Sequence, residues 1–349
     1  MYTQAQNADD VLRQMDLAGI ELRSKDVDGF PKQLGKRVTC CKGGKFWYWL
    51  QEFCPDSGGV FLVGRFGSYK TGSSDKVEND WSRLSDAERE RMQAERQAAS
   101  AEAQRRRAAE AAEAALSAVE LWRRGRTEGS SPYLVRKGFA DGRGESCRYM
   151  ADGSLLVPLI RYDLPRAEAL RGVQRIYPGP RKDSRTGEPL PDKMFTKNFD
   201  KPGCAVRLGD AQQALQAPLL LVCEGYATGL TLRAATEWAV PVFVALDAGN
   251  LGVVVPLLAT LYPDARYLVC ADDDWRTRDH AGVLNNPGRT KAKAVAKATP
   301  RCDLVYPVFD PATRQAKDTD FNDLHARQGL DAVRDQLGAV LQAIKHKHG

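Results

Sequence analysis

The sequence predicts an α/β protein. A parallel, Rossmann-like sheet occupies the C-terminal half, preceded by an α+β subdomain, a long helix and a small β-rich N-terminal module. Three observations carry this reading. Residues 219–223 form a continuous apolar run and 265–271 are apolar apart from Arg266, as strands buried on both faces are, and each run is followed directly by carboxylate residues, Glu224 and Asp272–Asp274. Residues 84–124 are rich in Ala, Glu, Arg and Gln and contain no Gly or Pro. Residues 30–72 are Gly-rich and interleave aromatic with basic positions. The expected divisions are 1–82, 83–126, 127–213, 214–325 and 326–349.

In chain order, residues 9–24 show helical periodicity, with Val11, Leu12, Met15 and Leu17 apolar and Asp9 or Asp10 as N-cap. Gly43-Gly44 reads as a hairpin turn between strands. Alternation through Phe46-Trp47-Tyr48-Trp49 predicts that half of these aromatics are core. The other half, with Arg65 and Lys70, has two readings: an ordinary small sheet with solvated cations, or a surface that stacks on the bases of single-stranded DNA. Ser85 and Glu88 fit a capping box at the start of a helix of roughly 40 residues, ~60 Å long. Arg105-Arg106-Arg107 reads as a solvated face of that helix, with contact to a phosphate backbone as the alternative.

The chemistry concentrates at strand ends. Leu219–Cys223 delivers Glu224 to the C-terminal end of a parallel strand, and Gly225 opens the tight turn into a helix. The second run ends in Asp272-Asp273-Asp274. In extended backbone Asp272 and Asp274 share one side and Asp273 faces away, toward solvent or a basic helix. Clustered carboxylates repel unless a cation lies between them, and all-oxygen ligands suit Mg²⁺ or Mn²⁺. A third acidic cluster follows in Lys317-Asp318-Thr319-Asp320-Phe321-Asn322-Asp323, and a short strand at 241–246 leads into Asp247-Ala248-Gly249-Asn250. A Gly/Asn/Pro-rich loop after 279 feeds an Ala/Lys helix to about Thr299. Residues 321–346 read as one amphipathic helix, and His280 and His325 fit no nucleophile or zinc pattern.

Glu-Gly after one strand, Asp-x-Asp after a later one and a terminal Lys-Asp-x-Asp together resemble the TOPRIM domain of DnaG-type primases, topoisomerases and some nucleases, over roughly 215–325. The wording Cys-Glu-Gly-Tyr, Leu-Asp-Ala-Gly-Asn-Leu, Ala-Asp-Asp-Asp and Lys-Asp-Thr-Asp-Phe-Asn-Asp-Leu is most similar to primases of phages, plasmids and integrated elements. The resemblance implies a primase that joins ribonucleotides on single-stranded DNA, with Glu224, Asp272 and Asp274 catalytic. Two Mg²⁺ or Mn²⁺ ions would be held by these three with Asp318 and Asp320. It further implies that residues 131–210 form the first half of the polymerase core, where Lys137, Arg175, Lys193 and Lys197, together with Asn250, meet template or nucleotide. The family often carries another acid where this chain has Thr228. Such primases also carry an N-terminal zinc ribbon. Here Cys40, Cys41 and Cys54 lack a His and a Cys-x-x-Cys pair, and adjacent Cys40 and Cys41 are expected on opposite strand faces, so zinc is not expected. The segment instead resembles a metal-free β-module; Trp47, Arg65 and Lys70 are the candidate contacts to single-stranded DNA under the second of the two readings above.

Composition agrees with an anionic partner: formal charge +6 and pI ≈ 8.8 across 349 residues. The polar N-terminal residues predict no leader peptide, no apolar run reaches membrane length, and the scattered cysteines read as reduced thiols, so a cytoplasmic setting is expected. No Gly-x-x-x-x-Gly-Lys-Ser/Thr loop occurs, so a separate helicase or initiator protein is the expected partner. The alternatives are a TOPRIM nuclease with water as nucleophile, or a non-catalytic single-stranded-DNA-binding accessory protein.

Overall fold

The computed structural model describes residues 4–54, 59–69, 73–79, 85–278 and 283–348. Its contacts divide the chain into Met1–Arg106 and Arg107–Gly349. The division falls inside one helix, whereas the sequence placed boundaries at either end of it.

In the first unit, α1 (Gln4–Leu17) and the single turn α2 (Ser24–Val27) precede an antiparallel sheet of β1 (Arg37–Cys40), β2 (Phe46–Phe53), β3 (Phe61–Ser68) and β4 (Ser74–Lys76), paired in that order. Helix α1 begins before the expected residue 9 and stops at Leu17, not 24. Gly19, at φ +76°, reverses the chain, and the Ile20 amide closes on the Met15 carbonyl. Val11 and Met15 pack with Tyr48, Leu50, Leu62 and Phe66. The turn at Gly43-Gly44 is present, with both glycines at positive φ.

The 39-residue α3 (Asp86–Arg124) starts at the expected capping box: the Ser85 amide donates to Glu88 Oε2 at 2.8 Å and the Glu88 amide to Ser85 Oγ at 3.3 Å. In the second unit, α4 (Pro132–Arg136) leads to an antiparallel sheet of β5 (Arg148–Tyr149), β6 (Leu155–Ile160) and β7 (Leu170–Ile176). Beyond the small hairpin of β8 (Arg181–Lys182) and β9 (Pro189–Leu190), β10 (Lys193–Phe195) completes its edge.

The central sheet has the order β11-β13-β12-β14-β15. Strands β12 (Leu219–Cys223), β13 (Val242–Val244), β14 (Arg266–Cys270) and β15 (Cys302–Val305) run parallel, and β11 (Val206–Leu208) adds an antiparallel edge. The sheet therefore begins before the expected boundary at 214, with α5 (Ala211–Gln216) between β11 and β12. Alternate residues feed two cores. Leu221, Cys223, Val244, Leu268 and Cys270 face α6 (Tyr226–Ala235) and α9 (Phe321–His348). Leu220, Val222, Phe243, Tyr267 and Val269 face α7 (Ala248–Leu261) and α8 (Pro287–Ala298). The chain moves from β12 to β13 on one side, then to β14 on the other. That reversal opens a crevice at the C-terminal ends of β12 and β14, where open α/β sheets bind ligands.

Two further expectations change. α9 is broken at Gly329 (φ +83°) rather than continuous. The expected division at 326 also falls inside this helix, whose Val333 and Leu337 are buried in the core shared with α6.

Candidate active site

The register Cys223↔Cys270 ends β12 and β14 at one level, so Glu224 and Asp272 follow adjacent strand ends, and the Asp272 amide bonds the Glu224 carboxylate. Both side chains are half-buried, but Glu224 Oε1 and Asp272 Oδ1 are cut off from solvent and have no hydrogen-bond partner among the described residues. Burial, then the charges of Asp274 and Asp247, pushes Glu224 up to about 7; the Asp272 amide and Lys291 act against this. Asp272 is raised well above the usual carboxylate range by burial, then by Glu224, Asp320, Asp274 and Asp323. Gly225 has ordinary extended backbone (φ −101°), so the turn does not require glycine's conformational freedom. What limits it is space: a Cβ there would stand 3.0 Å from Thr228 Oγ1.

Asp273 is buried against two cations, Arg314 and Arg289. Asp274 is held by α8: its Oδ2 accepts from the Gly288 amide at 3.0 Å, and its own amide donates to Asn286 Oδ1 at 3.0 Å. The approach leaves no room for a side chain at Gly288, whose Cβ would lie 2.4 Å from the Asp272 carbonyl oxygen.

The third acidic segment divides. Asp320 and Asp323 form a reciprocal cap on α9: the Asp323 amide donates to Asp320 Oδ1 at 2.8 Å and the Asp320 amide to Asp323 Oδ2 at 3.3 Å. Both act electrostatically on Asp272. Asp318 does not join them. Its buried carboxylate binds Arg327 at 2.8 Å and accepts from the Gln315 amide at 2.7 Å, and these contacts hold it below the usual carboxylate range. That occupancy corrects its expected place among the metal ligands. Asp323, which sequence reasoning left out, takes a place beside the site; the Asp-x-x-Asp spacing at a helix start was its signal. Among the described residues, no three His, Cys, Asp or Glu side chains stand ready-gathered around an ion position. The donor chemistry nonetheless fits a divalent cation, because two buried carboxylate oxygens, Glu224 Oε1 and Asp272 Oδ1, have no partner among the described residues, and the Glu224 charge acts on Asp272.

The expected cationic residues also divide. Lys137 lies 3.9 Å from Asp323, and its carbonyl accepts from Asn322 Nδ2 at 2.8 Å, which ties the α4 turn to the acidic site. Arg175 pairs with Asp152 at 2.7 Å and lies over Tyr177. On the neighbouring strand Lys193 is exposed over the Tyr133 ring, and Lys197 is exposed just beyond it. Asn250 is a correction: it is 3 % exposed, and its side chain bonds the Gly203 amide and the Cys204 and Ala245 carbonyls. It locks β11, β13 and α7 together and has no free group for a nucleotide. Lys201, not singled out from sequence, pairs with Asp247, the N-cap of α7.

In the first unit, Trp47 is also a correction. It is buried, with the Arg37 guanidinium 4.1 Å from its ring centre, and offers no face to a base. Arg65 is exposed and bonds Ser74. Lys70 lies outside the described residues. Cys40 and Cys41 do not take opposite faces: Cys41 has φ +69°, and the two sulfurs lie 3.8 Å apart in the core, while Cys54 is exposed.

Residues 219–331 match the Toprim domain family. Over 119 residues, 34% of this chain, it is 38% identical to a DNA primase TraC of Escherichia coli, and a second DNA primase TraC from that organism is 37% identical over 120 residues. The chain spans only 11% and 8% of the lengths of these relatives. Among solved structures it is similar to the primase fragment of the bacteriophage T7 primase-helicase protein, with TM-score 0.36, 12% identity and coverage of 55% of this chain and 66% of that one. It is also similar to the RNA polymerase domain of Mycobacterium tuberculosis primase DnaG, with TM-score 0.37, 13% identity and coverage of 66% and 80%. The assignment rests on the sequence matches.

Proposed function

We propose that this chain is a DNA primase, a DNA-directed RNA polymerase that makes short ribonucleotide primers on single-stranded DNA in the replication of a phage, plasmid or integrated element. The observation that carries the reading is the pair of adjacent parallel strands that bring Glu224 and Asp272 together with unsatisfied, buried oxygens. Its support from known proteins is the identity of this segment to DNA primase TraC.

Glu224, Asp272 and Asp274 would hold Mg²⁺ or Mn²⁺, with Asp320 and Asp323 adding negative charge around Asp272. A divalent ion held there would supply the charge that lowers the pKa of a primer 3′-hydroxyl and neutralises the triphosphate. Lys137, Arg175, Lys193 and Lys197 lie on the preceding subdomain as phosphate contacts for template and nucleotide. Without a cation Glu224 sits near neutrality, so it also has the proton affinity of a general acid or base. A separate helicase or initiator would deliver the template.

The test is synthesis on a mixed-sequence single-stranded template with labelled ribonucleotides and Mg²⁺ or Mn²⁺. Short products from the wild type that vanish in Asp272→Ala support the reading. Metal-dependent loss of the template itself would replace it with a nuclease.

A further inference from the structure

The middle carboxylate of the Asp272-Asp273-Asp274 run does no obvious chemistry, yet it is the most heavily partnered of the three. Asp273 is 4 % exposed. Its Oδ2 binds Arg314 at 2.9 Å, its Oδ1 accepts from Asn286 Nδ2 at 2.6 Å and meets Arg289 at 3.5 Å, and its amide donates to the Thr319 carbonyl at 2.7 Å. Three segments converge on it: the end of β14, the first turn of α8 and the 314–319 loop that leads to Asp320 and Asp323. Arg314 cannot swing clear. It donates to the carbonyls of Asp318 and Asp273 and is sandwiched by Trp275 and Phe309, with ring centres 4.4 and 4.6 Å away. Its side chain is 16% exposed, against 42% for Arg289.

We infer that Asp273 is a positioning residue of the acidic site: it neutralises Arg314 and so keeps a trapped cation from competing with the divalent ion one residue away. The inference rests on the metal-dependent reading above. Its physical basis is charge. A guanidinium fixed by backbone carbonyls and aromatic rings keeps its place when its carboxylate partner is lost. It then repels a divalent ion through a partly buried, weakly screening environment. Asp273 at the same time fixes the spacing between the Asp272/Asp274 and Asp320/Asp323 halves, because its side chain and amide bind both.

Mg²⁺ binding to the full chain, followed by titration calorimetry with thermal melting as the check on folding, separates these roles. Asp273→Asn is expected to retain the Asn286 contact and to lose about tenfold in Mg²⁺ affinity. The double variant Asp273→Asn/Arg314→Met is expected to recover most of that loss, since it removes the stranded cation. Wild-type affinity in Asp273→Asn, or a double variant no better than the single one, would overturn the inference; the second result would leave Asp273 as a purely structural tie. Asp272→Ala is run alongside. If wild-type binding is insensitive to that change, the metal-site reading itself fails and this inference falls with it.

Discussion

At the scale of single residues, the site is defined by unequal carboxylates. Glu224 and Asp272 are raised by burial and by each other's neighbours, whereas Asp318 is lowered by Arg327. A raised carboxyl binds its proton more tightly in the folded state than in the unfolded one. It therefore contributes stability that is complete below the ordinary carboxylate range and is lost as pH rises through the folded value, about 7 for Glu224. The metal-free protein is thus predicted to lose stability between pH 5 and 8, by at most about 1.4 kcal/mol per pH unit for each such group. Glu224→Gln should flatten the decline and raise Tm at pH 8, and Mg²⁺ should stabilise the wild type more at pH 8 than at pH 5.5. His325, lowered by burial, works in the opposite sense across this window, so the comparison of melting curves must be between variant and wild type. A Glu224→Gln profile parallel to the wild type would contradict the assignment. Asp318 offers the contrast: Asp318→Asn, which weakens the Arg327 contact, is predicted to cost about 1–3 kcal/mol in denaturant unfolding, as a structural contact does.

Much of this was legible in the sequence, and the failures have physical causes. Glu224, Asp272 and Asp274 follow from apolar runs that end in acids. Asp318 and Asp320 look equivalent in the motif, and only the fold brings Arg327 onto one of them. Asn250 and Trp47 belong to types common in binding sites, but both are buried, Asn250 by bonds to residues as far away as Gly203, 47 positions distant, and Trp47 under Arg37 of the neighbouring strand. Cys40 and Cys41 share a face because Cys41 leaves strand backbone, which residue type does not reveal.

At the scale of elements, α8 is the piece that completes the site. Its N-terminus docks on the acidic run through Asn286 and Gly288, and its body covers the sheet through Ala292 and Val295. The sequence showed a Gly/Asn/Pro loop feeding a basic helix but not where that helix returns. Gly288→Ala would force the Cβ against the Asp272 carbonyl at 2.4 Å, so the helix must shift. The expected result is a loss of about 1–3 kcal/mol in stability, with weaker Mg²⁺ binding than in a variant destabilised equally at a distant core position. Equal Mg²⁺ affinity in the two would separate α8 from the site. The long helix is simpler: Ser85→Ala removes the observed cap and should cost about 1 kcal/mol of helix stability, read by circular dichroism melting.

At the scale of the molecule, two compact units are joined through α3, and among the described residues no helix is long and apolar enough to cross a membrane. The second unit is one folded body: the antiparallel sheet of β5–β7 and β10 shares a buried core with β12, α6 and α9. That sharing buries the apolar face of α9, as its amphipathic pattern predicts. Leu337→Ala should cost about 2–5 kcal/mol and lower Tm for the whole unit in one transition, where a dispensable tail would leave melting unchanged. The most direct test of the account is a comparison of primer synthesis per folded molecule by Glu224→Ala, Asp272→Ala and Asn250→Ala on single-stranded DNA. The strand-end centre predicts that the first two lose at least about a thousandfold, as removal of central catalytic groups does, while Asn250→Ala melts earlier yet keeps near-wild-type turnover where folded. Full turnover in Asp272→Ala, or turnover abolished in folded Asn250→Ala with the carboxylate variants active, would contradict it.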